Sequence, residues 1–112
     1  MWFTHLQYRR IGMKITLVKK ILASGKLCPK CEDVLDRLEK TDQMSFIDQV
    51  LIADERDPES EGLRLAKKLG VERAPFFVVE DGGDLKIYTV YFKVAKEVLS
   101  NETTELEKVT RS

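Results

Sequence analysis

The chain has little cysteine, little histidine and no excess charge of either sign. Among its 112 residues the only cysteines are Cys28 and Cys31, and the only histidine is His5. A self-contained structural zinc site usually takes four such ligands, so this inventory argues against one. The 19 basic and 19 acidic side chains cancel. This balance argues against a nucleic-acid groove or an anionic membrane surface as the main partner.

Long apolar runs are also missing. No stretch approaches the ~20 apolar residues that span a bilayer. Residues 1–12 do not follow the order of a secretory signal, because polar residues interrupt the apolar ones and the arginines come last. We therefore expect a soluble, cytoplasmic protein, in a compartment where permanent disulfides are rare. With 43% hydrophobic residues the chain can build a core without a disulfide.

One domain accounts for this length. We expect residues 1–12 to be an extension outside the fold, residues 13–100 to form the domain, and residues 101–112 to be a polar tail. Apolar and β-branched patterns predict strands at 14–22, 46–53, 75–80 and 85–91, with a tight turn at 81–84. The resulting order, β-α-β-α-β-β-α, predicts an α/β fold in which a parallel β-α-β unit precedes a hairpin and a covering helix.

Three helices complete this pattern. The first follows Cys28 and has Pro29 in its first turn, where proline is well tolerated. For the second, we expect Asp57 as the N-cap residue, Pro58 as the first helical residue and Gly70 as the C-terminal cap, with Gly62 on its apolar stripe. The third is expected over 92–100, with its inner face formed by Phe92, Ala95, Val98 and Leu99.

The CPKC motif, residues 28–31, allows three interpretations. The cysteines could contribute to a metal site shared between chains, or pack as small apolar residues without chemistry. They could also form a redox pair, in which a thiolate attacks a disulfide. The start of a helix favours negative charge, and Lys26 and Lys30 flank Cys28, so a Cys28 thiolate would be supported electrostatically. Cys31, one turn further on, would be shielded and placed to resolve a mixed disulfide.

With a strand before it and a helix after it, this motif resembles the redox site of the thioredoxin and glutaredoxin superfamily. The resemblance covers residues 13–100 and includes RAPFFVV, residues 73–79. It implies a thioredoxin fold with a central mixed four-stranded sheet and helices on both faces. It also implies a cis bond between Ala74 and Pro75 that lies against the cysteines, and a backbone at Ala74 that pairs with an extended substrate.

The sequence departs from the family pattern at three places. Leu22 stands where thioredoxins carry a buried acid, which argues against their type of proton relay. The proline motif is RAP rather than the TVP of glutaredoxins. Gly82 and Gly83 fall in the hairpin turn rather than before the last helix, where glutaredoxins hold glutathione. CPKC itself is more similar to the CPxC of glutaredoxins than to the WCGPC of thioredoxins.

The leading hypothesis is a monomeric thiol–disulfide oxidoreductase, with Cys28 as nucleophile and Cys31 as resolving thiol. It would need no metal and no cofactor beyond a redox-active Cys28–Cys31 disulfide. Its expected partners are a disulfide-containing protein substrate and a reductant of the thioredoxin-reductase or glutathione type, with no nucleic acid or membrane. The alternative is a non-catalytic thioredoxin-fold adaptor, or a dimer that binds a metal or an iron–sulfur cluster through the same cysteines.

Overall fold

Residues 12–99, which are the residues that the computed structural model describes, contain both strands and helices. The predicted extension (apart from Gly12), Ser100 and the predicted tail lie outside them. The elements are β1 (Met13–Ile21), α1 (Pro29–Lys40), β2 (Gln49–Asp54), α2 (Glu61–Leu69), β3 (Phe76–Asp81), β4 (Asp84–Tyr88) and α3 (Tyr91–Val94), which continues as a π-helical segment (Ala95–Leu99). A short 3-10 turn (Met44–Phe46) precedes β2.

The sheet has the strand order β2-β1-β3-β4. Strand β1 pairs in parallel with β2 and antiparallel with β3, and β4 is the antiparallel mate of β3. At the centre of the sheet, Val18 lies opposite Leu51 on one side and Phe76 on the other. Residues 15–18 of β1 are all buried. A strand buried on both faces is typically apolar along its length, and the ITLV segment of β1 fits this pattern apart from Thr16.

Helices cover both faces of this sheet, because alternate strand residues point to opposite sides. One core lies under α1 and α3 and contains buried residues from β1, α1, β3, β4 and the C-terminal helix: Ile15, Leu17, Val34, Leu38, Phe77, Val79, Tyr88, Val94, Val98 and Leu99. The other lies under α2 and contains Val18, Ala53, Phe76 and Val78. The strand order, strand directions and two-sided helix layer are those of the thioredoxin fold, which confirms the predicted fold class.

The start of α2 differs from the prediction. Asp57 does not cap the helix; its carboxylate accepts the N–H of Glu59 at 2.9 Å, and its carbonyl accepts the N–H of Ser60 at 3.0 Å. These local bonds form a turn, which is a known competitor of helix capping for aspartate. The helix therefore begins at Glu61, after Ser60. At the other end, Gly70 has φ +69° and closes the helix, as predicted.

Gly62 brings α2 into direct backbone contact with β2. A Cβ atom built at Gly62 would lie 2.4 Å from the Ile52 carbonyl carbon and 2.4 Å from the Ala53 nitrogen. Such distances are far inside van der Waals contact, so a larger residue could not be accommodated without displacing the helix. The predicted place of Gly62 on the inner stripe is correct, and its lack of a side chain is what lets α2 approach the sheet.

The last third of the fold also needs corrections. Strand β4 ends at Tyr88 rather than at residue 91, because the chain turns at Thr89 and Val90 into α3. The predicted inner-face residue Phe92 is 67% exposed, whereas Val94 is fully buried. The helix starts at Tyr91, and this start sets the phase that directs Val94 toward the core. Earlier, β2 starts at Gln49 rather than at residue 46, since residues 44–46 form the 3-10 turn.

Candidate active site

The two cysteines lie where β1 delivers the chain to the start of α1. Cys28 occupies the N-cap position with extended backbone angles (φ −57°, ψ 133°), and Pro29 opens the helix. Cys28 is half-buried and Cys31 has no exposed surface; both are free thiols. The predicted positions of the pair at the helix start are correct. The Cys28 sulfur makes no capping hydrogen bond to the helix N–H groups.

The backbone of Lys20, near the end of β1, bonds to both cysteines. Its N–H donates to the Cys31 sulfur at 3.2 Å. Its carbonyl accepts the N–H of Cys28 at 2.9 Å. One strand residue thus fixes the first turn of α1 against the sheet. Sequence reasoning missed this role, because a backbone contact leaves no signature in the side chain; only the position of Lys20 near a strand end pointed to it.

Burial is the main influence on the Cys31 thiol. It raises the pKa of Cys31 to about 11, because the anion would lose its hydration inside the protein. The Lys20 N–H opposes this effect by stabilising the thiolate. The charge of Cys28 and a hydrogen bond between the two cysteines raise the Cys31 pKa further. At neutral pH, Cys31 therefore keeps its proton and becomes a nucleophile only when that proton leaves.

The loop 22–27 that leads to Cys28 is held by its own backbone. Leu22 donates its N–H to the Lys26 carbonyl at 2.8 Å, and Gly25 donates to the Leu22 carbonyl at 2.8 Å. Leu27 forms a bridge back to Ile21. Gly25 has φ +87°, a conformation that glycine adopts without the penalty that other residues incur. The loop is therefore a compact turn with a defined shape.

Lys26 and Lys30 flank Cys28 in the sequence, and the structure exposes both side chains to solvent. Within residues 12–99, neither forms an ion pair. Two cations in water interact with a nearby thiolate through a high dielectric and are screened by salt. Any electrostatic support that they give to Cys28 is consequently modest.

The bond between Ala74 and Pro75 is cis, as predicted. Pro75 is buried and Ala74 is half-buried. Ala74 lines a cavity of about 290 Å³ together with Lys20, Leu63, Ala66 and Phe76. Lys20, whose backbone bonds to both cysteines, is thus also part of the lining of this cavity, although neither cysteine is. The pairing of the Ala74 backbone with an extended substrate stays a prediction.

Over residues 12–99, no group of three or more histidine, cysteine, aspartate or glutamate side chains is arranged to bind a metal ion. Nor does any helix in this part of the chain have the length and apolar character needed to cross a membrane.

The topology and this geometry define a thioredoxin-fold protein with a CPKC dithiol at the start of its first helix. Solved structures of similar shape include thioredoxin f2 of Chlamydomonas reinhardtii (16% identity, TM-score 0.47, covering 80% of this chain and 79% of that one). Thioredoxin f from spinach chloroplast, short form, has 20% identity and a TM-score of 0.47, with 80% and 77% covered. Thioredoxin O2 of Arabidopsis thaliana, in its oxidised state, has 18% identity and a TM-score of 0.47, with 87% and 85% covered. No family model and no curated protein matches the chain.

Proposed function

We propose that the protein is a thiol–disulfide oxidoreductase that works through Cys28 and Cys31. One observation supports this most strongly: a half-buried thiol at a helix start is followed, in the first turn of that helix, by a second thiol that is fully buried. The accessible sulfur can meet a substrate, and the inner sulfur is already within reach of it. This is the arrangement that two-step disulfide exchange requires.

The reaction proceeds through a mixed disulfide. The Cys28 thiolate attacks one sulfur of a substrate disulfide, the S–S bond breaks, and the departing sulfur leaves as a thiolate that takes up a proton. Cys31 then loses its proton and attacks the Cys28 sulfur, which releases the second substrate thiol. The substrate gains two electrons, and the protein ends with a Cys28–Cys31 disulfide. An external dithiol, of the thioredoxin-reductase or glutathione type, returns both thiols to the reduced state.

Other parts of the protein assist the exchange reaction in this proposal. The N-terminal end of α1 favours negative charge at Cys28, and Lys26 and Lys30 add a screened contribution. The Ala74 backbone, at the cavity that it shares with Lys20, offers hydrogen bonds to an extended segment of a protein substrate. We place the protein in the cytoplasm as a monomer. The direction of electron flow follows from its reduction potential relative to that of its partners.

Reduction of insulin disulfides tests the proposal, with wild type compared to Cys28→Ser and Cys31→Ser. We expect wild type to reduce insulin in the presence of a dithiol reductant, and both variants to lose most of this activity. Cys31→Ser should also accumulate a mixed disulfide that migrates as a larger species without reductant. Equal activity of all three proteins would sink the proposal.

A stoichiometric metal or a coloured cluster in protein purified from cells would favour the alternative dimer. Metal analysis of the purified protein, together with titration of its thiols before and after reduction, therefore distinguishes the oxidoreductase from the metal-binding or cluster-binding dimer.

A further inference from the structure

We propose that Glu55 is a positioning residue for the second half of the exchange, in which Cys31 attacks the mixed disulfide on Cys28. The inference rests on the proposed function and adds a residue to it. Glu55 is the residue that follows β2, so it is distant from the cysteines in the sequence. The structure nonetheless places its carboxylate against both the cysteine loop and the residue that holds the cysteines.

The two oxygens of Glu55 have different partners. Oε1 accepts the N–H of Ala23, in the loop 22–27, at 2.9 Å. Oε2 forms an ion pair with Lys20 Nζ at 3.4 Å. The backbone N–H of Glu55 also donates to the Ile21 carbonyl at 2.9 Å, which extends the pairing of β1 and β2. Glu55 thereby fixes the end of β1 and the start of the loop to β2.

Lys20 connects this contact to the sulfur atoms. Its side chain is held by Glu55, while its backbone bonds to the N–H of Cys28 and to the sulfur of Cys31. The loop that begins at Ala23 ends at Cys28. Both routes from Glu55 to the cysteines are therefore short: one runs through Lys20 and the other through the loop.

The charged residues on either side of Glu55, Asp54 and Arg56, pair with each other. Arg56 is bound by Asp54 through contacts of 2.9 and 3.0 Å, so it does not compete with Lys20 for Glu55. The side chains of Lys20 and Glu55 are only 27% and 36% exposed, so their contact is partly shielded from water. A pair in such a position is held more firmly than an ion pair in free solvent.

The resolving step depends on this geometry. Cys31 loses a proton and its sulfur attacks the Cys28 sulfur; the Cys28–substrate bond breaks, and the substrate sulfur leaves as a thiolate. Because the attack is intramolecular, its rate depends on how well the two sulfurs are aligned. The first step is bimolecular and involves only the accessible Cys28, so it depends much less on the loop. Loss of Glu55 should therefore slow the second step selectively.

Dithiobis(nitrobenzoate) separates the two steps, because each step releases one coloured nitrothiobenzoate. Reduced protein is mixed with the reagent in a stopped-flow instrument at 25 °C. Wild type should show a bimolecular phase followed by a unimolecular phase. In Glu55→Ala we expect the first rate constant to stay within about twofold and the second to fall about five- to tenfold. Glu55→Gln should recover most of the second rate, because its amide oxygen can still accept the Ala23 N–H.

The matched control is Glu39→Ala, which removes an exposed carboxylate of α1 whose side chain forms no ion pair within residues 12–99. Both rates should equal those of wild type. Lys20→Met removes the ion pair but keeps the backbone bonds, and it should slow the second phase by about two- to threefold. If Glu55→Ala does not fold, Glu55→Asp carries the same expectation, since the shorter side chain cannot reach Ala23 and Lys20 together.

An unchanged second phase in folded Glu55→Ala or Glu55→Asp would overturn this inference and leave the proposed function intact. So would a lower melting temperature without a slower second phase, which would show a purely structural role. Failure of wild type to release the second nitrothiobenzoate would instead contradict the proposed function itself.

Discussion

The N–H of Lys20 donates a hydrogen bond to the sulfur of Cys31 over 3.2 Å, and so joins the central strand to the first turn of α1. The donor belongs to the backbone, so it is present whatever side chain stands at position 20. It stabilises a thiolate at Cys31, yet burial of that sulfur outweighs it and leaves the Cys31 pKa at about 11. The Cys31 thiol therefore lies near Cys28 but ionises only at high pH. This affects the pH dependence of both the resolving step and the stability of the reduced protein.

The first prediction concerns the rate of the resolving step. Burial keeps Cys31 protonated at neutral pH, and only its thiolate attacks. In the mixed disulfide Cys28 no longer carries charge, which removes part of the upward shift, but burial remains. We expect the rate of release from the Cys28 mixed disulfide to rise about tenfold per pH unit between about pH 7 and pH 9.

The measurement is the pH profile of the unimolecular nitrothiobenzoate release. Cys31→Ser is the control and should show no unimolecular release at any pH. A rate that levels off below about pH 8 would mean that Cys31 ionises far more readily than its buried environment indicates.

The second prediction concerns stability of the reduced protein in alkali. The Cys31 pKa is raised from 9.0 to about 11 in the folded state, so between these values the unfolded chain binds fewer protons than the folded one. Stability then falls as pH rises, because this contribution is complete below about pH 9 and is lost toward pH 11. The loss attributable to Cys31 is on the order of 2 kcal/mol.

Urea unfolding of reduced wild type and reduced Cys31→Ala, at matched pH values, isolates this term from the titration of lysines and tyrosines. The free-energy difference between the two proteins should shrink as the pH rises above 9.0. A difference that stays constant up to about pH 11 would contradict the shift.

Sequence reasoning predicted the parts of this fold that depend on strong local patterns. The buried run at 15–18 marked the central strand, and Pro29 after Cys28 marked the helix that carries the dithiol. The prediction was wrong where the same residues could form more than one local structure. Asp57 had the residue type of an N-cap but closed a turn instead, and the phase of α3 depended on a start at Tyr91 that no capping residue signalled.

Within the candidate site, the cysteines and the cis bond at Pro75 were predictable because each has a distinctive residue type at a distinctive place. The contacts of Lys20 and Glu55 were not. Lys20 contacts Cys31, 11 positions away, through its backbone N–H. Glu55 contacts Ala23, 32 positions away, through a carboxylate that looks like an ordinary surface charge in the sequence. Only the assembled sheet brings them together.

A third prediction tests the contact of Gly62 with β2. In Gly62→Ala the new methyl group would lie 2.4 Å from backbone atoms of Ile52 and Ala53, which cannot move without breaking strand pairing. Elsewhere in a helix this substitution stabilises by about 0.5–1 kcal/mol. Here we expect a loss of about 2–3 kcal/mol, as is typical of overpacking.

Chemical denaturation measures the effect of Gly62→Ala. Glu61→Ala, at the exposed neighbouring position of the same helix, should change stability by no more than about 0.5 kcal/mol. Wild-type stability of Gly62→Ala would show that α2 does not rest on β2 through its backbone.

The last prediction contrasts two residues of α3. Val94 is fully buried in the core beneath α1, so Val94→Ala removes two packed methyl groups and leaves a cavity, at a cost of about 2 kcal/mol. Phe92 is 67% exposed, and its ring faces the Arg37 guanidinium at 5.3 Å. An exposed cation–π contact contributes about 0.5–1 kcal/mol, and the higher helix propensity of alanine offsets part of its loss. Phe92→Ala should thus destabilise by less than about 0.5 kcal/mol.

Thermal or urea unfolding of the two variants checks the phase of α3 directly, because a reversed order of stabilities would place Phe92 rather than Val94 in the core.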